Sequence, residues 1–136
     1  MPTRARPQAE TDKSNPASVP PHVDLERFRG DLRDAGVEEM VGTLLQTFIE
    51  DCPGRFAALE AAIQRGDSKA IESAAHAFKS GSGTIRATVL AERLGSVESA
   101  AHADRLESIA ELFEQIRSEH IAVLRELAAA TRRAGS

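Results

Sequence analysis

His76 and Lys79 stand three residues apart in the stretch Ala74-Ala75-His76-Ala77-Phe78-Lys79-Ser80-Gly81-Ser82-Gly83. Wound into a helix at about 100° per residue, this stretch puts Ile71, Ala74, Ala75, Phe78 and Ile85 on one side, with small Ser82 among them. His76 falls on the other side, where its helical neighbours are Glu72, Ser73, Lys79, Ser80 and Gly83. A neutral imidazole displayed to solvent has a free lone pair near neutral pH and is a competent nucleophile. A phosphoryl group on its nitrogen would bring nearly two negative charges, and the ammonium of Lys79, one turn on, is within reach to offset them. Glycine inside a helix costs about 1 kcal/mol relative to alanine. Placing Gly81 and Gly83 here therefore gives up local stability, as close approach of a large partner would require. On that reading Glu72, Ser73, Ser80 and Gly83 surround the nucleophile as contact surface. The competing reading is a helical adaptor that binds partners without phosphate chemistry, with His76 merely solvated.

What the sequence lacks narrows the chemistry. No Walker loop or nucleotide-binding glycine motif occurs, so the chain is not expected to charge itself from ATP, and a phosphoryl group has to arrive on another protein. The four histidines form no His-x-x-x-His pair and join no carboxylate cluster, so neither a metal nor a cofactor is expected. A net charge of −4 without a basic stripe argues against nucleic acid. No apolar run approaches the roughly 20 residues that span a bilayer, and no signal-peptide core is present. The single cysteine, Cys52, excludes an internal disulfide and fits a reducing compartment; its spacing from Phe48 and Phe56 marks it as packing. A cytoplasmic, monomeric protein is the expectation. Of the other histidines, His22 is expected to do nothing, His102 to be solvated, and His120 to be a hydrogen-bonded histidine at the edge of the core.

The elements that must position His76 are helical throughout. The chain is rich in Ala, Leu, Glu and Arg and has no tryptophan or tyrosine. Residues 1–21 carry five prolines among polar residues and are expected to be a disordered leader or linker, with the folded domain at 22–132. Asp24 is a suitable N-cap for a short helix through Leu25, Phe28 and Leu32, with Val23 stapling against Phe28. Met40, Val41, Leu44, Leu45, Phe48, Ile49 and Cys52 repeat at three-four spacing, and the phase continues through Phe56, Leu59, Ala62 and Ile63. That predicts one long helix to Arg65, kinked near Pro53, stopped by Gly66 and followed by Asp67 as the cap of the His76 helix. A further helix begins at Thr88 with Leu90, Leu94, Val97 and Ala101 inward. The last begins with an Asp104–Glu107 capping box and places Ile109, Leu112, Phe113, Ile116, Val123, Leu124 and Leu127 on one face. Short connections make successive helices antiparallel: an all-α, up-down four-helix bundle with an additional short N-terminal helix.

The arrangement from His76 to Glu98 resembles the histidine-containing phosphotransfer (HPt) domains of multistep two-component phosphorelays. The resemblance is carried by His76, Lys79, Ser80-Gly81-Ser82, Ile85-Arg86-Ala87, Leu90, Leu94 and Val97-Glu98. It extends outward to Phe48-Ile49-Glu50-Asp51-Cys52-Pro53 and Gly66-Asp67. Two positions depart from the family pattern: Ser80 stands where many members have glycine, and Arg86 where the turn usually has glycine. The histidine-kinase dimerisation domain fits less well, because Ala77 follows the histidine in place of an acid. The resemblance implies a phosphocarrier without autokinase activity, free-standing or a module of a hybrid histidine kinase. Nε2 of His76 would take a phosphoryl group from the aspartate of one receiver domain and pass it to another. The receivers, including those of hybrid kinases, would supply the Mg²⁺. It also implies that Glu98 hydrogen-bonds the other ring nitrogen, and that receivers dock on the first long helix. There Met40 and Leu44 exceed what one buried stripe needs, unless the short helix covers them.

Overall fold

The structure, a computed structural model, describes residues 21–134; of the expected leader, residues 1–20 lie outside the described residues. Among the described residues, five α-helices and two single 3₁₀ turns occur, without strands. The helices are α1 (Leu25–Asp34), α2 (Val41–Arg65), α3 (Ser68–Thr84), α4 (Thr88–His102) and α5 (Ile109–Ala134). Helices α2 to α5 form an antiparallel up-down bundle: each packs on its chain neighbour, and α2 closes the ring against α5.

Local chemistry explains most boundaries. Asp24 caps α1 by accepting from the Arg27 N–H at 3.1 Å, and Asp67 caps α3 by accepting from the Ala70 N–H at 3.1 Å. Gly66 ends α2 at φ 65°, a left-handed conformation that suits glycine. Helix α2 runs through Pro53 without interruption. The core contains Phe28, Leu59, Phe78, Leu90, Leu94 and Ile116, each fully buried. Burying one such side chain stabilises the fold by about 1.5–3 kcal/mol. Phe78 alone therefore outweighs a helical glycine at Gly81, where an added Cβ would lie 3.8 Å from the Phe48 ring. Cys52 is 1% exposed, and burial pushes its thiol pKa up to about 12, which leaves it as packing.

Arg86, in the family's glycine position, adopts φ 67°. Such a conformation is unfavourable for a residue with a Cβ. Two contacts hold it there. Its guanidinium forks onto Asp31 of α1 at 2.8 and 3.1 Å, and its carbonyl accepts from the Asp24 N–H at 3.0 Å. The substitution thus ties α1 to the α3–α4 turn.

Three expectations are corrected. His22 is not idle: Glu126 accepts from the backbone N–H groups of His22 and Val23, at 2.8 and 3.0 Å, and the His22 ring meets Glu119 at 2.7 Å. Both acids project from α5, about a hundred residues away. Asp104 does not form a capping box with Glu107. It sits at φ 58° in the α4–α5 turn, whereas an N-cap needs extended backbone, and its carboxylate accepts from Ser68 Oγ at 2.5 Å. A 3₁₀ turn, Leu106–Ser108, then leads into α5. His120 is not a hydrogen-bonded boundary residue. It is 9% exposed, its ring stacks on Phe56 at 4.8 Å and meets Phe78 edge-on at 5.8 Å, and its Nε2 has no partner.

Burial depresses the His120 pKa below its ordinary 6.5. The folded state then refuses a proton that the unfolded chain accepts, so stability is full above about pH 6.5 and is lost as pH falls below that value. His120→Phe keeps the flat ring and removes the unpartnered nitrogen, a group whose burial costs about 1–3 kcal/mol. Urea unfolding at pH 7.5 and 5.5 is expected to show a smaller loss on acidification for His120→Phe than for the parent. Equal losses would mean that His120 does not titrate in this window.

Candidate functional site

Helices α3 and α4 run antiparallel, and this brings His76, Lys79 and Glu98 together on the bundle surface. Buried Ala75 and Phe78 on the inner face of α3 force His76 outward, where its side chain is 65% exposed. Glu98 follows buried Val97 on α4 and is 21% exposed. Its Oε2 lies 2.8 Å from His76 Nδ1, and its Oε1 lies 2.6 Å from Lys79 Nζ. One carboxylate therefore holds both groups.

The hydrogen bond from Lys79 is the main influence that keeps the Glu98 carboxyl below the usual carboxylate range. Partial burial opposes it, and the His76 contact adds to it. Glu98 is consequently ionised at neutral pH and can only accept, so the proton of a neutral His76 ring belongs on Nδ1. That leaves the lone pair on Nε2, which has no partner among the described residues. The site can thus present a fixed, exposed nitrogen nucleophile with a negative charge behind it.

Gly95 is a neighbour of the site that the sequence reading missed. A Cβ there would lie 3.6 Å from Lys79 Cδ, an ordinary packing contact, so the lysine stem passes over this glycine on its way to Glu98. A glycine inside the α4 pattern, after Leu94, was the available signal. The contact candidates divide. Ser73, Ser80 and Gly83 are exposed on α3. Glu72, one turn before His76 on the same face, is held by His102 of α4, whose Nδ1 lies 3.0 Å from its carboxylate. His102 is solvated, as expected, but paired. Met40 is 38% exposed just before α2, so α1 does not cover it, whereas Leu44 is half-buried against the core. Leu44, Phe48, Cys52, Gly81 and Ile85 line an open hollow of about 160 Å³ between α2 and α3. Among the described residues no three of His, Cys, Asp and Glu cluster as metal ligands would, and no helix is long and apolar enough to cross a membrane.

Comparison with known proteins agrees with this geometry. The Hpt domain family matches residues 43–133. The chain is similar to a solved structure described as the crystal structure of histidine-containing phosphotransfer protein B (HptB) from Pseudomonas aeruginosa PAO1. The TM-score is 0.77 at 32% sequence identity, with 85% of this chain and 98% of that chain covered. No curated protein matches. The chain belongs to the Hpt domain family. Its class is the histidine phosphotransfer proteins of phosphorelays, which are phosphocarriers and not kinases and which work with receiver domains of response regulators.

In Glu98→Ala the ring loses its anchor, and the ¹⁵N spectrum of His76 is expected to move toward the Nε2–H tautomer that free imidazole side chains prefer. An unchanged spectrum would show that Glu98 does not set the tautomer.

Proposed function

We propose that this domain carries a phosphoryl group between receiver aspartates on Nε2 of His76, with Glu98 and Lys79 as its assisting charges. The observation that carries this reading is the 2.8 Å contact of Glu98 with Nδ1 on a ring that is 65% exposed, which in the neutral ring gives the lone pair to Nε2. In the accepting step the Nε2 lone pair attacks phosphorus, the bond from phosphorus to the aspartyl oxygen breaks, and the aspartate leaves as a carboxylate. The ring then carries both the Nδ1 proton and the phosphoryl group and is cationic, so the Glu98 carboxylate stabilises it. Passing the group to a second receiver reverses these bonds. The receivers bring the Mg²⁺ that offsets charge on the transferring group, and this domain supplies position and nucleophile.

Lys79 starts from Glu98 and has a flexible stem, so it can turn toward an arriving phosphoryl group without leaving the site. Ser73, Ser80 and Gly83 leave the ring approachable. A Cβ at Gly83 would meet nothing within 4 Å, so its absence serves no packing inside the chain. The receiver docks over exposed Met40 and the hollow lined by Leu44; a methionine accommodates more than one such surface.

The test is incubation with phosphorylated receiver domains. Acid-labile, base-stable label is expected on the parent and none on His76→Gln, with equal melting of the two. Lys79→Ala is expected to slow transfer or shorten the phosphohistidine lifetime several-fold, as suits one partly exposed charge contact. Met40→Glu is expected to weaken receiver binding with an intact melt. Label on His76→Gln would defeat the reading, and parent-like behaviour of the other two would remove those residues from it.

A further inference from the structure

Arg55 projects from α2 into the groove between α2 and α3 and lines two successive hollows there. The first is the apolar hollow of about 160 Å³ beside Leu44 and Gly81. The second, about 370 Å³, is walled by Ala58, Ala62, Ala74, Ser73 and Ala77. Ala77 adjoins His76 in the chain, and Ser73 precedes it by one turn, so the groove runs alongside the nucleophile. Arg55 is exposed and makes no side-chain hydrogen bond or ion pair among the described residues, although Asp51 lies one turn before it on the same helix. Arg33, Arg86 and Arg117 are held by Glu38, Asp31 and Glu60, whereas the two arginines that line this groove, Arg55 and Arg65, have no such partner among the described residues. The Lys79 ammonium is likewise held by Glu98 at 2.6 Å. Charge along the groove comes from Arg55 and Arg65 against Asp51, a positive balance in a chain of net charge −4.

The partner's chemistry complements this balance. A protein that carries a phosphoaspartate with a divalent cation must supply further carboxylates to hold that cation, so the face brought against His76 is acid-rich. A guanidinium, with its planar fork of donors, is suited to a carboxylate there. We propose that Arg55 is a docking residue that pairs with a carboxylate on the acidic face of the receiver and fixes its approach along the α2–α3 groove. This rests on the phosphotransfer reading and adds to it a polar contact beside the apolar ones. The pair forms at the rim of the contact, so it acts on encounter and affinity and leaves the chemical step unaltered.

The experiment measures transfer from receiver domains charged with radiolabelled acetyl phosphate, over a range of receiver concentration and of salt. At low salt, Arg55→Ala is expected to raise the half-saturating receiver concentration about fivefold and Arg55→Glu more than tenfold, with Arg55→Lys recovering part of the loss. Maximal rates and melting temperatures are expected to match the parent. The difference should shrink toward 1 M salt, where charges are screened beyond about 3 Å. Parent-like concentration dependence in every variant at every salt overturns the proposal, with label on the parent leaving the phosphotransfer reading intact. A lowered maximal rate at unchanged half-saturation also overturns it, because Arg55 would then act on the chemical step. Absence of label on the parent itself removes the phosphotransfer reading and this proposal with it.

Discussion

The shared carboxylate of Glu98 is the constraint on which the geometry of this surface depends. One oxygen faces His76 Nδ1 at 2.8 Å and the other faces Lys79 Nζ at 2.6 Å. Both partners come from successive turns of α3, three residues apart, and the acid comes from α4, so the site exists only while the two helices keep their register. That register is supported from beneath by Phe78, Leu94 and Val97, all fully buried. The left-handed Arg86 turns the chain from α3 into α4 within three residues.

The bundle gives the site a rigid base with one open flank. Helix α1 and the Arg86–Asp31 pair secure the end of the α3–α4 hairpin, and the His22 and Val23 contacts to α5 secure the start of the described chain. Neither reaches the α2–α3 groove, where Arg55 has no side-chain partner among the described residues, and Met40, just before α2, remains exposed. A nucleophile that must meet large protein partners needs this combination of fixed ring and uncovered approach.

Features governed by local rules were legible in the sequence. The caps Asp24 and Asp67 and the stop at Gly66 follow from residue type at a helix end, and the three-four spacing of apolar residues defined the inner faces of the long helices. The outward display of His76 followed from the same spacing. Long-range pairings were less legible. His22 finds Glu119 and Glu126 because the bundle carries α5 past the start of α1, which no local pattern encodes. His120 was placed on the inward face of its helix, but its neighbours Phe56 and Phe78 belong to α2 and α3, and they offer rings where a hydrogen-bond partner was expected. Asp104 showed capping-box spacing, yet the tight α4–α5 turn required it in a left-handed conformation. The Glu98 contact lay between these cases: family resemblance pointed to it, while its simultaneous hold on Lys79 emerged only from the packed helices.

On the proposed mechanism Glu98 keeps the proton of His76 on Nδ1 and so directs chemistry to Nε2. The most direct measurement is NMR of the phosphorylated, ¹⁵N-histidine-labelled domain, reading the one-bond coupling between phosphorus and ring nitrogen together with the assignment of each nitrogen. Coupling of phosphorus to Nε2 of His76, with Nδ1 still protonated, is the result expected. Phosphorus on Nδ1, or on another side chain, would contradict it.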